Sequence, residues 1–187
     1  MVCDLDPGAL ARTLEQYPSL ASTVDCESLF CDPGIDAVVV SSSASTHYSL
    51  ARRALEAGKH CFVEKPISLR VEHAEELARL AEDHDLVLMV GHLLLYHPAV
   101  THLKALVDSG ELGEVYSLFT ERRNLGKVRR DENAMWSFAP HDISVVLYLL
   151  GELPIEISAQ GQDFLQPGIE DVVFFNLRFA TGRLVHG

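Results

Sequence analysis

The chain has 187 residues, 48% hydrophobic and 22% charged, a globular balance with room for one large domain or one and a half smaller ones. Its formal charge of −12, from 15 Lys and Arg against 27 Asp and Glu, repels phosphate and excludes a general nucleic-acid or anionic-membrane binder, local basic spots such as Arg122-Arg123 aside. No apolar run approaches the ~20 residues of a membrane span, and no basic segment followed by an apolar stretch opens the chain.

Met1-Val2-Cys3-Asp4 reads as a short strand ending in an acid, and Asp6-Pro7 as a helix cap followed by a first-turn proline. Ala37–Val40, Cys61–Val63 and Leu86–Val90 are near-continuous apolar runs, as expected for strands buried on both faces of a parallel sheet. Between them, Leu50, Ala51, Ala54 and Leu55 recur at helical spacing up to a stop at Gly58, and Ala74, Leu77, Ala78 and Ala81 repeat the pattern. This alternation predicts an α/β, Rossmann-like doubly wound layer. A helix from Pro98 to Val107 ends in Asp108-Ser109-Gly110, and Val115–Thr120 reads as a strand. A helix over Asp142–Leu150 stops at Gly151; Ile155–Gln160 and Val172–Phe179 follow as strands, with Thr181-Gly182 as a hairpin turn. The second half is therefore expected to be an α+β domain with a mainly antiparallel sheet. The boundary falls near Tyr96-His97-Pro98, giving domains at 1–96 and 97–187.

Cys3, Cys26, Cys31 and Cys61 show neither CxxC pairing nor metal-ligand rhythm. Reduced thiols in a cytoplasmic protein, with no metal, are the expectation.

The chemistry concentrates at strand ends. Glu64-Lys65-Pro66 directly follows an apolar strand, where parallel sheets bind ligands. A lysine there can hydrogen-bond a substrate hydroxyl and stabilise developing alkoxide, while the proline pins the turn. Ser41 and Ser42, with Ser43 to Ser45 and Thr46-His47, follow the preceding strand; small hydroxylated residues there suit close approach of a cofactor. Asp4 is the residue type that hydrogen-bonds an adenosine ribose, or else a surface acid. No Gly-x-Gly-x-x-Gly precedes it, so the nucleotide layer reads as incomplete, without its first strand and phosphate loop. The chain looks cut at both ends, which predicts an exposed sheet edge and apolar surface. His47 is read as a structural hydrogen-bonder ahead of a catalyst, and His92 as either a cofactor contact or a helix cap. Arg122, Asn124 and Arg129 could hold a diphosphate or carboxylate, or form a solvated face. Trp136 either stacks on nicotinamide or sugar, or packs in the core.

Ala57-Gly58-Lys59-His60 with Val63-Glu64-Lys65-Pro66, and Val40 to Ala51 including Ser45-Thr46-His47, resemble the hallmark segments of the glucose–fructose oxidoreductase, inositol dehydrogenase and rhizopine catabolism (Gfo/Idh/MocA) family. Gly91-His92-Leu93, Tyr96-His97-Pro98-Ala99, Asn124-Leu125-Gly126 and Trp136-Ser137-Phe138-Ala139-Pro140-His141-Asp142 look most like its nucleotide-sugar branch, which includes the UDP-N-acetylglucosamine and UDP-N-acetylglucosaminuronate 3-dehydrogenases. The resemblance implies oxidation of a secondary alcohol of a sugar or nucleotide-sugar by hydride transfer. It places Lys65 and His141 at the catalytic site, with Glu64 on the nicotinamide ribose or fixing the loop. Lys65 and His141, with Arg122, Asn124 and Arg129, are the candidate substrate contacts; Asp4, Ser41, Ser42, His47, Glu64, Lys65, His92 and Trp136 are the candidate cofactor contacts. NAD is preferred to NADP because Asp4 would repel a 2′-phosphate. Self-association into a dimer or tetramer is a further implication. Many relatives carry an aspartate one helical turn before the histidine and another three residues after it; here these are Ser137 and Ser144, and Asp142 is the nearby replacement. These departures leave an inactive or regulatory sugar-binding remnant as the alternative.

Overall fold

A computed structural model describes residues 1–123 and 132–187, which form two compact units, Met1–Gly91 and His92–Gly187. The division falls at Gly91/His92 rather than at the expected Tyr96/His97, because the 3-10 turn Leu93–Tyr96 packs against two helices of the second unit, Pro98–Asp108 and Ala134–Leu150.

The first unit runs β1 (Val2–Cys3), α1 (Pro7–Gln16), β2 (Ser22–Thr23), α2 (Glu27–Cys31), β3 (Ala37–Val40), α3 (Ala44–Glu56), β4 (His60–Val63), α4 (Val71–Asp83) and β5 (Leu88–Val90). The Asp6 carboxylate accepts the Gly8 amide at 2.8 Å and starts α1 with Pro7 in its first turn, as the sequence predicts. Gly58, at φ 72°, ends α3 in a left-handed conformation that costs a glycine little. β1 pairs with β2, and β3-β4-β5 form a second sheet, all parallel. Val40, Val63 and Val90 stand level in that register, so three strands open into one rim at their carboxyl ends.

Ala51, Ala54 and Leu55 of α3 and Leu77 of α4 are fully buried against Val38, Val40, Cys61 and Val63. The alanines let α3 approach the sheet closely. The strands are not buried on both faces as expected. α3 and α4 cover one face, whereas Val39 is 67% and Val87 61% exposed on the other. Exposed apolar sheet surface is thus present, as anticipated.

The second unit contains the turn Leu93–Tyr96, α5 (Pro98–Asp108), β6 (Ser117–Phe119), α6 (Ala134–Leu150), β7 (Pro154–Gln162), β8 (Val172–Phe179) and β9 (Leu184–His186). Its sheet has the order β6-β9-β8-β7, with β6–β9 parallel and the other two pairs antiparallel. Phe175, Leu177 and Phe179 alternate inward along β8 and pack with Val185, Ala139 and Val146, while Phe174, Asn176 and Arg178 face out. The Thr181-Gly182 turn joins β8 to β9, with Gly182 at φ 87°.

α6 starts at Ala134 and not at Asp142. Asn133 caps it by accepting the Trp136 amide at 3.1 Å, and the Ala134 amide donates to the Glu170 carbonyl at 2.8 Å. Pro140, a start signal by sequence, lies inside the helix, where it withholds one backbone donor from the turn before it. Gly151, at φ 67°, closes the helix as expected. Among the described residues, no helix is long and apolar enough to cross a membrane, and no group of three or more His, Cys, Asp or Glu could hold a metal ion. All four cysteines are free thiols.

Candidate active site

The level carboxyl ends of β3, β4 and β5 bring three segments together: Ser41–Ser43, Glu64-Lys65-Pro66 and Gly91. The Glu64 amide donates to the Val40 carbonyl and the Gly91 amide to the Val63 carbonyl, both at 2.8 Å, so the sheet ladder extends one residue past the last strand pairs. These bonds fix where the Glu64-Lys65-Pro66 turn leaves β4. The Lys65–Pro66 peptide is cis.

His47 ties the turn to the serine loop. It projects from the first turns of α3 and is 1% exposed. Its Nδ1 lies 2.7 Å from the Pro66 carbonyl and its Nε2 3.0 Å from the Ser42 carbonyl. Of its two expected roles, the geometry supports the structural one, because both ring nitrogens already face backbone oxygen and the ring is shut away from a ligand. The loop is further ordered by Ser42 Oγ and Thr46 Oγ1 at 2.7 Å and by Thr46 Oγ1 donating to the Ser43 carbonyl at 2.8 Å. Ser41 and Ser42 are exposed.

The Glu64 carboxylate turns back toward its own loop. It accepts the Lys65 amide at 3.2 Å and lies directly over Gly91. Asp4 stands at the end of β1, exposed, with Oδ1 accepting the Asp6 amide at 2.9 Å. That bond orients the carboxylate and leaves Oδ2 for a ligand hydroxyl.

In the second unit, His141 and Asp142 lie on α6, both half-buried. Asp142 is held by Arg122, whose Nε is 2.9 Å from each carboxylate oxygen. The guanidinium is therefore already neutralised, which weakens Arg122 as an anion receptor and makes it a brace on the helix that carries His141. Arg122 and Asp142 border an open cavity of about 700 Å³ that also includes Phe138, Phe175 and His186. Trp136, in the first turn of α6, is 42% exposed, more than a core residue would be. His92 precedes the turn Leu93–Tyr96, which carries no side-chain cap from it. Asn124 and Arg129 lie outside the described residues.

The structure thus groups Ser42, His47, Glu64 and Lys65 in the first unit, and Arg122, His141 and Asp142 in the second. Two contributors were not evident from sequence: Gly91 beside Glu64, and Asn133 as the cap of α6. An Asn three residues before Trp136 is a readable cap signal once Pro140 is not taken as the helix start.

A level parallel rim carrying a serine loop and a lysine turn, in a unit whose β1 ends in an acid, is an α/β arrangement of the Rossmann type. The family model "Oxidoreductase family, NAD-binding Rossmann fold" matches residues 2–92, and "GFO/IDH/MocA C-terminal domain" matches residues 100–187. The chain belongs to the GFO/IDH/MocA oxidoreductase family. It is 34% identical over 128 residues to the UDP-N-acetylglucosamine 3-dehydrogenase of Acidithiobacillus ferrooxidans, covering 68% of this chain and 40% of that protein. It is 30% identical over 144 residues to the scyllo-inositol 2-dehydrogenase (NAD(+)) of Bacillus subtilis, covering 74% and 42%. A solved structure of UDP-N-acetylglucosamine 3-dehydrogenase from Acidithiobacillus ferrooxidans superposes with a TM-score of 0.87 at 27% identity, covering 99% of this chain and 59% of that one. The chain spans about half the length of the relatives it matches.

Proposed function

We propose that this chain carries the lysine turn and part of the cofactor site of an NAD-dependent dehydrogenase that oxidises a secondary alcohol of a sugar or nucleotide-sugar. One observation carries the proposal: the Glu64-Lys65-Pro66 turn leaves a buried strand at the level rim and is held there by His47 and by the extended ladder. Asp4 and the serine loop have the residue types that suit the adenosine end of a dinucleotide. Asp4 offers a free carboxylate oxygen to a 2′-hydroxyl, which favours NAD over NADP, and Ser41 and Ser42 give a small exposed floor. The bound cofactor supplies hydride acceptance.

The protein's part is positioning and proton transfer. Lys65 donates to the reacting hydroxyl and stabilises negative charge on its oxygen. His141, by the family likeness, takes the hydroxyl proton as a general base. Asp142 shares its carboxylate with Arg122, so it orients the helix bearing His141 and does not stand in for the acids that Ser137 and Ser144 replace. The likeness to a UDP-N-acetylglucosamine 3-dehydrogenase supports a nucleotide-sugar substrate, and the free thiols support a cytoplasmic setting.

NADH titration of the folded chain, followed by fluorescence, tests the cofactor half; no binding at millimolar cofactor overturns it. For the lysine, Lys65→Ala in a form that turns over sugar should lower kcat on the order of 10²–10⁴-fold while leaving NADH affinity intact. Retained turnover refutes the role.

A further inference from the structure

We infer that Gly91 is a positioning residue for the lysine turn, acting through the Glu64 carboxylate; the inference rests on the dehydrogenase reading of Lys65. Gly58, Gly110, Gly151 and Gly182 all have positive φ, a backbone reason to be glycine. Gly91 has none: its φ lies outside the left-handed region. What requires glycine is space. A Cβ built on Gly91 lies 3.0 Å from Glu64 Cδ, 3.0 Å from Oε2 and 3.1 Å from Oε1, inside van der Waals contact with all three carboxylate atoms. Its three nearest neighbours are therefore the atoms of one functional group.

The backbone prevents the two from moving apart. Gly91 is fixed to Val63 by its amide, and Glu64 is fixed to Val40 by its own, so both residues sit on rigid extensions of neighbouring strands. The bare Cα of Gly91 is the shelf on which the carboxylate lies, and from there Oε2 accepts the Lys65 amide at 3.2 Å. Gly91 is itself buried, and Glu64 is half-buried. The consequence is directional. A methyl at position 91 makes the carboxylate give by a few tenths of an ångström, which stretches the 3.2 Å bond from the Lys65 amide to the limit of a hydrogen bond and loosens the first peptide of the turn while sheet and helices remain. A shift of a few tenths of an ångström in a catalytic group costs less than the ~10²-fold associated with a 1 Å misplacement, so about a tenfold loss of kcat is expected, with little change in KM.

The deciding measurement needs no turnover. In ¹H–¹⁵N spectra of the 187-residue chain, the Lys65 amide is compared in the parent, Gly91→Ala, Glu64→Ala and the double variant. The expected result is an upfield move of the Lys65 amide proton in Gly91→Ala, the same direction in Glu64→Ala, and no further move in the double variant. A Lys65 amide unmoved by Gly91→Ala, or additive moves in the double variant, overturns the inference. Should Gly91→Ala not fold, removing the carboxylate must rescue it; a double variant that also fails to fold places the clash elsewhere and overturns the inference. In a turnover assay, inactivity of the parent counts against the dehydrogenase reading, whereas the amide result judges Gly91 alone.

Discussion

Cys61 shows how deeply the lysine turn is anchored. It lies on β4, three residues before Glu64, and is 3% exposed beneath α3. Burial pushes its thiol up to about 11, from an ordinary value near 9. The folded state therefore keeps its proton at pH values where the unfolded chain has lost it. Because the folded value is raised, the contribution to stability is complete below about pH 9 and is lost as pH rises toward about 11. Urea unfolding between pH 8 and pH 11 should show this decline, and Cys61→Ala should flatten it; an equally steep decline in the variant would show that other groups carry the slope. His47 makes a related point by geometry. Its two backbone contacts join residues far apart in sequence, Ser42 and Pro66, through a ring that sequence alone could assign to either a ligand or the fold.

At the scale of elements, α6 is the informative case. Its N-terminus depends on Asn133, whose side chain accepts the Trp136 amide and donates to Glu170 Oε2 at 2.8 Å. That donation holds the Glu170 carboxyl below its usual range. Asn133→Ala should lower stability by about 1 kcal/mol, as for other lost caps. Asn133→Asp discriminates further. Asp and Asn cap helices about equally well, but an aspartate here would set a second carboxylate against Glu170 in place of a donor. Thermal unfolding followed by circular dichroism should rank the parent above Asn133→Asp, and parity of the two would show that the Glu170 contact does not contribute. Most elements were legible in the sequence because their signals are local: the apolar runs of β3 to β5, Asp6-Pro7 at the start of α1, and Gly58 and Gly151 as stops. The start of α6 was obscured because Pro140 suits a first turn better than a helix interior. The parallel β6–β9 pair was not legible, since it joins Ser117–Phe119 to Leu184–His186 across most of the second unit. Lys65 in the first unit and His141 in the second are marked by motif. The Gly91–Glu64 contact and the Arg122–Asp142 pair are products of register and packing, and no sequence spacing announces them.

At the scale of the whole molecule, charge and apolar exposure oppose each other. Val39 and Val87 are exposed on the uncovered sheet face of the first unit, and Phe119 (78%), Phe174 (54%) and Leu184 (54%) are exposed on the outward sheet face of the second. Apolar patches of this kind favour association. The net charge of −12 resists it, because any two copies of the chain repel. Salt separates the two effects. The Debye length shrinks from about 30 Å at 0.01 M to about 3 Å at 1 M, which removes the repulsion while leaving burial of apolar surface favourable. Sedimentation velocity of the chain should therefore show a mean mass that rises with both protein concentration and ionic strength. Arg or Glu at Phe119 and Phe174 should reduce that rise if the second unit's sheet is the associating face, and Glu at Val39 should reduce it if the first unit's is. A mass that falls with salt would mean that ion pairs between copies, rather than the exposed valines and phenylalanines, hold the assembly together.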